Sequence, residues 1–174
     1  MTTALLVIDL QRGMFEGEQP PLEGDGVLAR VAALLERARE RGVPVLHVRH
    51  DGGTGDILER GTPGWDIHPD VAPRGAEPVV DKSRSSAFHD TDLDERLRAL
   101  GVTRLVVAGM QTEFCVDSAC RAAHGLGYAV TLVSDGHTTF DTPDLTAAQV
   151  IAHHNRILHR GGLVEPAEAA AVEF

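Results

Sequence analysis

Asp9, Lys82 and Cys115 are an acid, a cation and a nucleophile, and each falls at or just past the end of a short apolar run. Ala4 to Ile8 leads into Asp9, Pro78 to Val80 ends near Lys82, and Leu105 to Ala108 leads through Gly109 to Cys115. Together they could run one reaction: the carboxylate takes the thiol proton, the ammonium steadies the thiolate, and the sulfur attacks. Thr112 is expected to cap a helix over Glu113 to Leu126, with Glu113 in its first turn. Cys115 then falls at the third helical position, where unpaired amides would lower the thiol pKa. Each residue also has a plainer reading alone: Cys115 as a buried, inert thiol, and Asp9 with Lys82 as a surface ion pair. Cys120, five residues on, reads as packing; the two thiols point apart and are not expected to bridge.

The elements around these residues alternate. Strands are expected at Ala4 to Ile8, Val43 to Val48, Pro78 to Val80, Arg104 to Ala108 and Tyr128 to Val133, with Leu163 and Val164 opening a sixth. Helices are expected over Val27 to Arg41, where Val27, Val31, Leu34, Leu35 and Ala38 keep helical spacing, and from about Thr146 to His159. Thr91-Asp92-Leu93-Asp94 resembles a capping box for a helix to Leu100. His50 to Ala76 lacks periodicity and reads as a binding loop or lid, and Ser134 to Asp144 as a polar loop. Such alternation predicts a single α/β domain over 1–174: three layers, α/β/α, around a mostly parallel, Rossmann-like sheet of about six strands. Ligands of such sheets bind beyond the carboxyl ends of the strands, where Asp9, Lys82 and Cys115 would converge.

The 174 residues suffice for one domain with a proper core. A formal net charge of −10 argues against nucleic acid or an anionic membrane as partner. No apolar run is long enough to span a bilayer, and Met1-Thr2-Thr3 is read as entering a strand directly, with no signal peptide expected. Only two cysteines suit a reducing, cytoplasmic setting. Neither a Gly-x-Gly-x-x-Gly nor a Walker-type loop is present, so no nucleotide cofactor is expected.

Three motifs carry a family resemblance: Leu6-Val7-Ile8-Asp9-Leu10-Gln11, Lys82 with Ser86-Ala87-Phe88, and Gly109-Met110-Gln111-Thr112-Glu113-Phe114-Cys115-Val116. Gly127-Tyr128-Ala129-Val130 and Ser134-Asp135-Gly136 also fit. In order and spacing, from Leu5 to about Leu163, the chain resembles the isochorismatase-like cysteine hydrolases, which include nicotinamidases and other amidases. The resemblance implies Asp9, Lys82 and Cys115 as catalytic triad, a cis peptide before Gln111, and an oxyanion hole built from the backbone amides of Gln111 and Cys115. It implies acyl transfer through a Cys115 thioester on a small amide or lactam, and a homo-oligomer, dimer or tetramer.

Two departures narrow this. Nicotinamidases carry a metal on an Asp-x-His arrangement after the second strand, but Asp51 is followed by Gly52 and Gly53. His47, His50 and His68 have no metal-ligand spacing and read as strand, loop and surface residues, so no metal or other cofactor is expected. Isochorismatase proper lacks the nucleophilic cysteine that Cys115 supplies. The alternatives are nicotinamidase or another metal-bearing relative, and a binding protein that keeps the fold without catalysis. Phe15, Trp65, Phe88, Phe114 and Phe140 fall in loops or beside the motifs and are expected, with Gln11, to wall a substrate pocket. Glu113 is expected to favour neutral or cationic substrates.

Overall fold

The apolar runs form a six-stranded, all-parallel sheet in the computed structural model, which describes residues 2–174 and so leaves Met1 aside. The strands are β1 (Thr3–Ile8), β2 (Val45–His50), β3 (Val79–Lys82), β4 (Arg104–Met110), β5 (Ala129–Thr138) and β6 (Glu165–Ala167). Their order is β3-β2-β1-β4-β5-β6, each pair parallel. The chain steps from β1 through β2 to β3, then crosses to β4 on the other side of β1. This reversal opens a crevice between the carboxyl ends of β1 and β4.

Helices cover both faces: α1 (Arg12–Phe15), α2 (Gly24–Glu40), α3 (Leu93–Ala99), α4 (Asp117–Gly125) and α5 (Ala147–Arg160). Val27, Val31, Leu34, Leu35 and Ala38 form the buried stripe of α2, which packs with Leu5 and Val7 of β1. Leu93 and Leu97 of α3, Ala119 and Ala123 of α4 and Leu158 of α5 pack with Ala4, Leu6 and Ile8 on the opposite face. Alternate residues of β1 thus enter two different cores, and every one is buried, as a parallel strand covered on both sides requires. Cys120 lies in the second core as a free thiol. No helix among the described residues is long and apolar enough to cross a membrane.

Four local outcomes differ from the pattern in the sequence. Ser134 to Thr138, expected as loop, continues β5: after a register shift in β4, Gly109 pairs with His137 and Met110 with Thr138. Partners for the polar side chains make this possible, such as Leu22 O, which accepts from Thr138 Oγ1 at 2.6 Å. The Thr91 capping box does not form, since Thr91 Oγ1 donates to Ala87 O at 2.6 Å instead. A capping box does start α5, between Thr146 and Gln149. The sixth strand begins at Glu165, two residues late, because Leu163 and Val164 pack into the core before pairing starts.

Residues 51–76 form an irregular cover over the strand ends, with short 3-10 turns at Pro63–Trp65 and Pro69–Val71. Its far end is tied by Glu77, which takes Arg39 bidentately at 2.8 Å, His47 Nε2 at 3.2 Å and the Arg74 amide at 2.8 Å. Desolvation raises the Glu77 carboxyl, but Arg39, the Arg74 amide and His47 outweigh it and bring it to about 2. A carboxyl depressed by folding stabilises above its unfolded pKa and loses that contribution as pH falls toward its folded value. Glu77→Gln should therefore lower stability at pH 7 by about 1–2 kcal/mol, a partly exposed charged network being worth less than a buried one. Urea unfolding should show the difference from wild type shrinking between pH 4.5 and 2; a gap constant over that range would refute the linkage.

Candidate active site

Asp9, Lys82 and Cys115 come together at the crevice. Asp9 follows β1 in a left-handed conformation (φ 50°), its amide tied to Val48 O at 3.0 Å. Lys82 ends β3 and is in register with His50 at the end of β2. Both Asp9 and Lys82 are buried. Lys82 Nζ donates to Arg84 O at 3.0 Å and to Cys115 Sγ at 3.2 Å, and lies 3.1 Å from His50 Nδ1. Asp9 Oδ2 faces the same nitrogen at 2.7 Å as an ion contact, while neither Asp9 oxygen has a partner in hydrogen-bond geometry. An ammonium has three hydrogens and here four neighbours, so the carboxylate keeps acceptor capacity toward the cavity.

Burial dominates the electrostatics. It raises the Asp9 carboxyl above its usual range, against the downward pull of Lys82. The Cys115 thiol is pushed up to about 12 by burial and then by the Asp9 charge, with Lys82 opposing. The expected lowering by a helix start is therefore overturned: at rest the thiol keeps its proton. Burial and Lys82 also lower His50, so the imidazole is neutral and its Nδ1 accepts from the ammonium. Its Nε2 then carries the hydrogen.

Cys115 stands in a turn ahead of the helix proper. Thr112–Val116 is a single π turn, in which Phe114 N and Val116 N both donate to Gln111 O, at 3.2 and 3.1 Å. Helix α4 starts only at Asp117, after Cys115. Thr112 does not cap; its Oγ1 pairs with His137 Nδ1 at 2.8 Å. The Met110–Gln111 peptide is cis. Gly109 sits at φ 134°, and a Cβ there would run into the Ile8 backbone, so glycine is what lets β4 close on β1 at this level.

A cavity of about 330 Å³ opens above these residues. Asp9, Gln111 and Cys115 line it, with His50, Met110, Phe114 and Phe140. Asp56, Ile57 and Leu58 of the 51–76 cover close one side. Of the expected pocket wall, then, Phe114 and Phe140 are in place. Gln11 is not: it is wholly buried and clamps the cover to the sheet, Nε2 donating to His50 O and Trp65 O at 2.9 Å and Oε1 accepting from His50 N at 2.8 Å. Trp65 lies under Arg49, whose Cζ is 3.3 Å from the ring centre. Phe15 meets His68 edge-on at 5.4 Å, and Phe88 stacks on Tyr128 at 6.3 Å. Glu113 turns away, its Oε1 accepting from Thr139 Oγ1 at 2.8 Å.

His50, Asp56 and Ser85 are the polar lining residues that sequence reasoning missed. His50 obeys the same strand-end rule as Asp9 and Lys82, had the second strand been extended by two residues. Asp56 sits in an aperiodic segment that offers no such signal. Asp51 is occupied by Arg60 at 2.9 Å and Gly53 N at 3.0 Å, and no group of three potential metal ligands occurs among the described residues.

A family model described as the isochorismatase domain matches residues 3–162. A streptothricin hydrolase of Streptomyces noursei is 42% identical over 140 residues, covering 80% of this chain and 51% of that protein. The chain thus spans about half the length of the streptothricin hydrolases it matches. Among solved structures, an isochorismatase from Pseudomonas putida KT2440 superposes with TM-score 0.91 at 30% identity, covering 98% of this chain and 90% of that one. A cysteine hydrolase from Pseudomonas syringae pv. phaseolicola gives 0.90 at 27% identity, covering 97% and 89%. With sheet order and length of match in agreement, the chain belongs to the isochorismatase family.

Proposed function

We propose that the chain is a cysteine hydrolase that cleaves the carbon–nitrogen bond of a small amide or lactam without a metal. One observation carries this reading: a single buried ammonium touches both the Asp9 carboxylate and the Cys115 sulfur at the floor of a cavity. Asp9, raised by burial, takes the thiol proton as substrate enters, and Lys82 holds the thiolate formed. Sulfur bonds to the carbonyl carbon while the carbonyl electron pair moves onto oxygen, held by the backbone amides of Gln111 and Cys115. The oxyanion collapses, the carbon–nitrogen bond breaks, and the proton on Asp9 passes to the departing nitrogen. Water, deprotonated by Asp9, then attacks the thioester; the acid leaves and the thiol regains its proton. The names of relatives, a cysteine hydrolase and a streptothricin hydrolase, agree with such chemistry.

The substrate's charge follows from the lining. His50 is held neutral and Asp9 faces Lys82, so Asp56, with no cation in salt-bridge range among the described residues, sets the sign. Substrates bearing an amine should be preferred to matched carboxylates, and Asp56→Asn should shrink the preference by roughly two- to five-fold, as for an exposed charge pair. The test is a panel of small amides and lactams scored for amine or ammonia release, with kcat/KM compared at low and high salt. A preference for carboxylates that survives in Asp56→Asn would overturn the charge assignment. No cleavage across the panel, by a protein whose Cys115 still alkylates, would favour a binding role.

A further inference from the structure

Behind the Cys115 turn, facing away from the cavity, lies a chain of polar side chains with no part in the steps above. Ser134 O accepts from Asn155 Nδ2 at 3.0 Å. Asn155 Oδ1 lies 2.9 Å from His137 Nε2, and His137 Nδ1 lies 2.8 Å from Thr112 Oγ1. Chemistry fixes every proton. A carbonyl only accepts, so Ser134 orients the Asn155 amide with its oxygen toward His137. Nε2 must then carry the imidazole hydrogen, which leaves Nδ1 as acceptor and makes the Thr112 hydroxyl the donor. His137 is 2% exposed and Thr112 1%, so both owe their hydrogen bonding to this chain.

From this geometry we infer that Asn155 and His137 are positioning residues for the nucleophile, acting through Thr112. The inference rests on the reading of Cys115 as that nucleophile. Thr112 is the first residue of the π turn and Cys115 the fourth. Backbone bonds close the turn on itself, Phe114 N and Val116 N onto Gln111 O and Asp117 N onto Thr112 O and Phe114 O, and none of these fastens it to the sheet. Two side-chain ties fasten it to the end of β5 and the residue beyond: Thr112 to His137, and Glu113 to Thr139 at 2.8 Å. Gly109 pairs with His137 only because of the register shift in β4, so this irregular stretch of sheet brings the tie beneath the turn. Asn155 from α5 then locks the imidazole in the one tautomer able to accept from Thr112. The Lys82–Cys115 contact of 3.2 Å is what the arrangement sets.

Thr112→Val keeps the shape of the side chain and removes the donor. It should slow both iodoacetamide modification of Cys115 and kcat for amide cleavage by about 10-fold, with KM changed far less, since small misplacements of a reacting group are costly. Thr112→Ser restores the donor and should recover most of both rates. His137→Leu should match Thr112→Val, and the double variant should be no worse than either alone, as for residues acting in one chain. His137→Asn offers an acceptor near the place of Nδ1 and should keep most of both rates, which leaves the role of the acceptor testable if the leucine variant does not fold. Cys120 modification, followed in the same tryptic digests, reports general loosening of the fold. Cys115 alkylating at the wild-type rate in Thr112→Val, or Thr112→Ser falling as far as Val, would overturn the inference; so would a slowing of Cys115 matched by a quickening of Cys120. Alkylation needs no substrate, so failure to find a cleavable amide would count against the proposed function and leave this result readable.

Discussion

Cys115→Ser is expected to lower kcat/KM for amide cleavage by about four orders of magnitude or more, the scale on which loss of a catalytic nucleophile acts. The hydroxyl is nearly isosteric with the thiol, which lines the cavity and packs, partly buried, against the core that holds Ala119 and Cys120. The change should cost about 1 kcal/mol of stability, the centre of the range for single substitutions, so the fold survives the loss of activity. Rapid quenching of wild type with a slow substrate should show one acyl mass addition on the peptide containing Cys115 and none on Cys120. Cys120 is wholly buried, its thiol also pushed up to about 12 by that burial, and it has no carboxylate or ammonium in contact to activate it. An acyl adduct elsewhere, or substantial turnover by Cys115→Ser, would remove Cys115 from the chemistry.

What could be read from the chain divides along a physical line. Features set by neighbours in sequence were legible: apolar runs of five or six residues became strands, and acid, ammonium and thiol at their ends had to share one edge of a parallel sheet. Features set by the approach of distant segments were not. A helix start points to a lowered Cys115 pKa, whereas burial and the charge of Asp9, which reaches it from the end of β1, raise it. Thr112 looked like a cap because capping is local, yet its hydroxyl is claimed by His137, twenty-five residues on. Places in loops or beside the motifs suggest that Phe15, Trp65, Phe88, Phe114 and Phe140 all wall the pocket. Trp65 is instead covered by Arg49 from β2, and Phe88 stacks on Tyr128 just ahead of β5, contacts that no spacing announces. The same limit hid Asp56, whose place at the cavity depends on the clamp that Gln11 puts on the 51–76 cover.

Asp9→Asn should separate turnover from thiol reactivity, moving them in opposite directions. Without a proton acceptor for the thiol, kcat should fall by about 10²- to 10⁴-fold, the usual range for a positioned general base. Asn tolerates the left-handed backbone of Asp9 as well as Asp does, so the loss is of charge and not of conformation. That charge is, after burial, the second cause of the raised Cys115 pKa. Once it is gone, Lys82 is a buried ammonium without its carboxylate, and a thiolate at Cys115 becomes its available counter-ion. Cys115 should then alkylate faster at neutral pH than in wild type, although breaking a buried pair costs stability, about 3–5 kcal/mol. Lys82→Met should do the reverse and slow alkylation, because it leaves Asp9 facing the sulfur unopposed. The pH dependence follows with a definite sign. The base works only when ionised, and burial raises Asp9, so wild-type kcat/KM should fall with decreasing pH above the ordinary carboxylate range. In Asp9→Asn that acid limb should disappear from the residual activity. Iodoacetamide rates by peptide mass spectrometry, with pH–rate profiles of the three proteins, decide the matter. If Asp9→Asn slowed alkylation and turnover alike, Asp9 would be a support for Lys82 and the base would have to be sought elsewhere in the cavity.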